Sequence, residues 1–134
     1  MEILETVRQW VASFPAWTGQ LPQIDQLSAV PARQGLFPKG VELLGRMEDV
    51  LGNVKHFCRC SFTLQQVRHA PDGADAAALL RFQNWVAAQS EAGLAPQLGE
   101  DTRWRAESGR LDGTKGPGTG VYTVNLIAEF TDII

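Results

Sequence analysis

The sequence predicts an α+β fold: one domain in which a mainly antiparallel sheet carries an N-terminal and a central helix on one face. Three observations lead there. Two stretches place apolar residues at helical spacing, two long stretches alternate apolar and polar residues, and the order is helix, several strands, helix, two strands, with no repeated unit. At 134 residues the chain has a single-domain length that can bury a core, and 44% apolar with 20% charged residues argues against disorder.

Ile3, Leu4, Val7, Trp10, Val11 and Phe14 recur on one helical face, with Glu5, Arg8 and Gln9 between them. Pro15 stops that helix, because proline disfavours helical geometry at the preceding residue. Pro15, Gly19, Pro22, Pro31, Gly35, Pro38 and Gly40 then punctuate the chain too often for a helix, and Ile24 to Val30 reads as a short edge strand. Val41 to Asp49 mixes apolar and charged residues without a clean period. It reads as a strand ending at Glu48-Asp49, with a turn around Gly52-Asn53.

Val54 to Arg68 is the clearest strand. Val54, His56, Cys58, Cys60, Phe62 and Leu64 alternate with Lys55, Arg59, Ser61, Thr63 and Gln65, so one face is buried and 41–49 pairs with it as a hairpin. Pro71, Asp72 and Gly73 supply turn chemistry, and Asp75 stands at an N-cap ahead of three alanines. Leu79, Phe82 and Val86, flanked by Leu80 and Trp85, form an apolar stripe down to Ser90. Gly93 suits a left-handed C′ position and Pro96 prevents resumption of the helix. Arg103 to Leu111 and Val121 to Phe130 read as the last two strands, joined by a nine-residue loop from Asp112 to Gly120.

Composition excludes several function classes. The net charge is −3, and four basic residues fall in each of 1–54, 55–91 and 92–134, so no cluster exists to displace counterions from a nucleic acid. No apolar run approaches the roughly 20 residues of a membrane span. The N-terminus carries Glu2 and Glu5 and lacks a basic segment, so a signal peptide is not expected. Two cysteines cannot build a disulfide framework, and folding in a reducing cytoplasm is expected.

His56-x-Cys58-x-Cys60 fails as a metal site. On a strand these side chains are spaced about 6.6–7 Å apart along one face, whereas zinc ligands converge within about 2–2.3 Å of one ion. Cys58 and Cys60 are expected as small core hydrophobes. The loop 112–120 lacks phosphate-loop spacing and precedes a strand, so no helix N-terminus is present to receive a phosphate. It is either a mobile loop or a segment that orders on a partner, with Gly113, Thr114, Lys115, Gly116, Pro117 and Gly118 as the candidate contact residues. No nucleophile elbow accompanies His56 or His69, turn and cap roles account for Asp72 and Asp75, and no catalytic, cofactor or metal residues are assigned. Trp10 and Trp85 fall on or beside helical stripes and are expected in the core. Trp17 and Trp104, the latter between Arg103 and Arg105, are candidates for a subunit interface, where aromatics and arginine are enriched.

Phe82-x-x-Trp85-Val86-x-x-Gln89, followed by Gly93-Leu94-x-Pro96-x-Leu98, resembles the helix-to-strand passage of a phage family. The closing strand Tyr122-x-Val124-x-Leu126-x-Ala128-x-Phe130, after its Gly-rich loop, is similar too. The family is that of minor capsid or tail-completion proteins of long-tailed bacteriophages and prophages. The likeness is best from Phe82 to Phe130, and 15–53 departs from it. It implies a tail-terminator role without catalysis: a ring, typically hexameric, that caps the tail tube and presents a surface to the head connector. The implied partners are copies of the chain, the tail-tube protein and the head-completion protein, with edge strands between subunits and the Gly-rich loop toward tube or connector. The implied location is the virion, reached through the bacterial host cytoplasm. The alternative is a non-enzymatic adaptor domain that binds a ligand or protein and is unrelated to virions; an enzyme with an unrecognised site is a third reading.

Overall fold

The computed structural model describes residues 3–15, 22–24, 34–69, 73–116 and 119–133. Its elements run α1 (Ile3–Ala12), β1 (Gln23–Ile24), β2 (Gln34–Glu48), β3 (Val54–His69), α2 (Gly73–Glu91), β4 (Glu100–Gly116) and β5 (Thr119–Ile133). The sheet order is β1-β2-β3-β5-β4. Four strands pair antiparallel, and the two-residue β1 lies parallel to the start of β2. This is the expected α+β architecture.

The alternation read in β3 and β5 sets the layers. Their register places Cys60 opposite Ala128, Phe62 opposite Leu126 and Leu64 opposite Val124, so one face is apolar across the centre of the sheet. Val7, Trp10, Val11 and Phe14 from the N-terminal segment and Leu79, Phe82 and Val86 from α2 close over that face as one core. Ring contacts knit the layer. Trp10 stacks on Trp85 at 5.4 Å between centroids, Phe14 meets Phe82 edge-on at 5.3 Å, and Trp104 lies 4.9 Å from Trp10 and 6.0 Å from Phe62.

Local chemistry explains the element ends. α1 gives way at Ser13, whose hydroxyl donates to the Trp10 carbonyl. Asp49 organises the β2–β3 turn by accepting from the Leu51 and Asn53 amides at 2.9 Å each, and these bonds, led by that with the Asn53 side chain, hold its carboxyl below the usual range. Gly93 has the expected positive φ, 72°, and the Leu94 amide donates to the Gln89 carbonyl at 2.9 Å, closing α2 in a Schellman motif. Gly99 is required by close approach: a Cβ there would lie 2.5 Å from the Thr131 carbonyl oxygen.

Several boundaries differ from expectation. β2 begins at Gln34 rather than Val41, and β1 covers only the start of the expected 24–30 strand; 25–30 lie outside the described residues. α2 begins at Gly73, which places Asp75 within its first turn rather than at the N-cap. β4 and β5 extend to Gly116 and Thr119, so most of the expected nine-residue loop is a continued ladder, with Gly113 opposite Val121 and Thr114 opposite Gly120. Strand pairing accepts glycines and irregular registers when the neighbouring strand is held in place, and this ladder has a shift between Thr114 and Gly116.

Candidate functional site

β2 leaves the sheet with an exposed side. β1 pairs with it only at Gly35 and Leu36, and from Phe37 to Glu48 no other strand lies on that edge among the described residues. The same stretch is rich in exposed apolar side chains. Val41, Leu43 and Met47 are more than half exposed, and Val50 and Leu51 at the hairpin tip are almost wholly so. Such an edge offers both unpaired backbone groups and apolar area, the combination that draws in another chain. On the helix side, Ile3, Leu4, Pro38, Gly40, Val41, Cys60 and Phe62 line an apolar groove of about 370 Å³.

The face opposite the helices carries a row of alternating charge. Arg59 reaches Glu42 at 3.7 Å and Glu129 at 3.8 Å; Glu129 also accepts from Arg105, which bonds Glu107 at 2.6 Å. The strands bring these residues together from β2, β3, β5 and β4. Exposed ion pairs contribute at most about 1 kcal/mol each, so the row bears on register and partner choice more than on stability. The hydrogen bond from Arg105, then the nearby Arg105 and Arg59 charges, hold Glu129 below its ordinary value, against an opposing effect of burial. The folded chain therefore takes up this proton less readily than the unfolded chain. The stability so gained is fully present above the ordinary value of about 4.5 and is lost as pH falls through the lowered one. Wild type should lose thermal stability more steeply than Glu129→Gln in melts below about pH 4.5; parallel curves would show that the pair adds nothing.

The structure separates the residues predicted as sites. Trp104 is 4% exposed, its indole NH donates to the Pro96 carbonyl at 2.8 Å, and its amide donates to the Ser90 hydroxyl. It is a core residue and not an exposed interface aromatic, because alternation turns it to the helix side while Arg103 and Arg105 face the other way. Arg105 is engaged within the chain, and Arg103 is exposed. Trp17, Pro117 and Gly118 lie outside the described residues, and Gly113, Thr114, Lys115 and Gly116 belong to β4. Trp10 and Trp85 pack as expected. Cys58 and Cys60 are buried free thiols, and desolvation raises the Cys60 thiol. Among the described residues no group of three His, Cys, Asp or Glu could hold a metal ion, and no helix is long and apolar enough to cross a membrane.

The sequence reading missed the β2 edge. Its signal was present in Val41, Leu43, Leu44 and Met47, but two register shifts, between Pro38 and Gly40 and between Leu43 and Gly45, scramble the alternation that would have shown it. No protein-family model and no curated protein sequence matches this chain.

Proposed function

We propose that the chain is a structural virion assembly protein of a long-tailed phage or prophage, of the tail-terminator or head–tail joining type, acting as an oligomeric ring that caps the tail tube. The observation that supports this reading is the open edge of β2 with its apolar hairpin, a surface suited to association with another chain. The resemblance of 82–130 to tail-completion proteins adds the kind of assembly. In this role the chain performs no reaction. Its partners are its own copies, the tail-tube protein and the head-completion protein, with no specific nucleic acid or membrane, and its place is the head–tail junction of the virion.

Deleting the gene from the phage or prophage that carries it should leave filled heads and tails that fail to join, as seen by electron microscopy of the lysate. Intact joined particles would overturn the proposal. The apolar groove beside α1 favours one other reading, a ligand-binding adaptor. A protein that stays monomeric and is indifferent to tail tubes would move the assignment there.

A further inference from the structure

Taking the chain as a self-assembling virion protein, as proposed above, we infer that copies join head to tail through side chains. The tip of the β2–β3 hairpin of one copy seats Val50 and Leu51 in the apolar groove beside α1 of the next. The tip is built as a fixed knob. The Gly52 amide donates to the Asp49 carbonyl at 3.1 Å, and the Asp49 amide donates to the Asn53 carbonyl at 3.0 Å. The Asp49 carboxylate accepts from the Leu51 and Asn53 amides and from the Asn53 side chain. Gly52 takes the positive φ, 86°, that completes the turn. Val50 and Leu51 hold its two corner positions. Turn geometry accepts most residues there and favours polar ones, so folding does not call for an apolar pair. Yet Val50 is 102% exposed and Leu51 83%.

The groove has the complementary form. Cys60 and Phe62, both buried, lie deep in it, and Ile3 and Val41 stand exposed at its rim. Its volume of about 370 Å³ is more than twice the roughly 150 Å³ that encloses a benzene ring, so two aliphatic side chains fit. A copy cannot fill its own groove. The ladder of β2 with β3 ends at Glu48 and Val54, six residues along β3 from Cys60, which sets the tip about 20 Å away. Among the described residues β5 accompanies β3 only as far as Lys55, so the turn projects past that row and is free to enter a neighbour.

The rest of β2 favours this mode over the addition of a strand. Pro38 lacks an amide donor, Lys39 follows it, and register shifts after Pro38 and after Leu43 confine any new strand to short runs. On the far side of the sheet, the Trp104 amide and the Ala106 carbonyl of β4 are already bonded to Ser90 and Gln83 of α2. Insertion of side chains needs neither edge. Knob and groove lie at different places on one chain, so the contact is heterologous. It closes into a ring when the rotation permits and otherwise extends into a filament.

Sedimentation equilibrium of the full chain at rising concentration tests this. Wild type should self-associate. A tip variant, Val50→Asp with Leu51→Asp, and a groove variant, Val41→Asp, should each raise the dissociation constant by about tenfold or more, because each would bury a carboxylate without a partner. All three positions are more than half exposed, so thermal melts of the variants should match wild type closely. The deciding sample is an equimolar mixture of the two variants. The groove variant keeps its tip and the tip variant keeps its groove, so the mixture should form a one-to-one dimer that grows no further. A strictly monomeric wild type, variants that associate as wild type does, or a mixture that stays monomeric would each overturn the contact; the last is the result expected of a symmetric pairing of β2 with β2. Wild type that assembles through tip and groove but does not cap tail tubes would overturn the virion reading and leave this contact standing. A protein that caps tubes and is indifferent to the tip and groove substitutions would do the opposite.

Discussion

Trp104→Ala should lower the unfolding free energy by about 3–5 kcal/mol, read from urea titrations followed by circular dichroism. The side chain is 4% exposed and fills the junction of three elements, against Trp10 of α1 and Phe62 of β3, with its indole NH bonded to the Pro96 carbonyl at 2.8 Å. Truncation leaves a cavity that the rigid rings of Trp10 and Phe62 cannot close, and it strands a buried acceptor. Trp104→Phe keeps most of the ring contact and loses the hydrogen bond, so its cost should be smaller, about 1–3 kcal/mol. A Trp104→Ala protein with an unchanged midpoint and weakened self-association would return this residue to the interface.

Phe82→Ala should cost a similar amount, about 3–5 kcal/mol, while Leu80→Ala should stay within about 0.5 kcal/mol. Both residues lie on or beside the apolar stripe of α2, and composition does not separate them. Position does: Phe82 is fully buried, touching Phe14 and Trp85, whereas Leu80 is 62% exposed. Equal costs for the two would mean that α2 presents a different face to the sheet.

The parts of the fold that were legible in the sequence are those governed by neighbours along the chain. The one-faced pattern from Ile3 to Phe14 and the alternation from Val54 to Leu64 depend only on helical and strand periods. The Gly93 cap depends on the one residue that accepts positive φ without strain, and the structure bears it out. Asp75 misled because its cap reading needed the helix to begin at Ala76, three residues later than the observed start at Gly73. The Gly-rich stretch after Leu111 misled for a related reason. Glycine lowers intrinsic strand preference, yet β5 supplies a ladder that residues 113–116 join regardless.

The candidate site was less legible than the fold. Arg103, Trp104 and Arg105 drew attention together, but a strand turns neighbours to opposite faces, so they divide between core, charge row and free surface. The β2 edge was hidden by its bulges, each of which shifts the alternation by one residue. The charge row could not be read at all, because Glu42, Arg59, Glu129 and Arg105 stand on four strands and meet only through three separate strand registers.

By itself, then, the sequence determined the α+β class, the two helices, the central strands β3 and β5, and the apolar face they share. Periodicity and turn chemistry act within a few residues and leave a local trace. Only the tertiary structure decided the strand order, the burial of Trp104, the extension of β4 and β5, and the exposure of β2 as an edge. Those depend on which distant segments pair and in which register, and no residue carries that information alone.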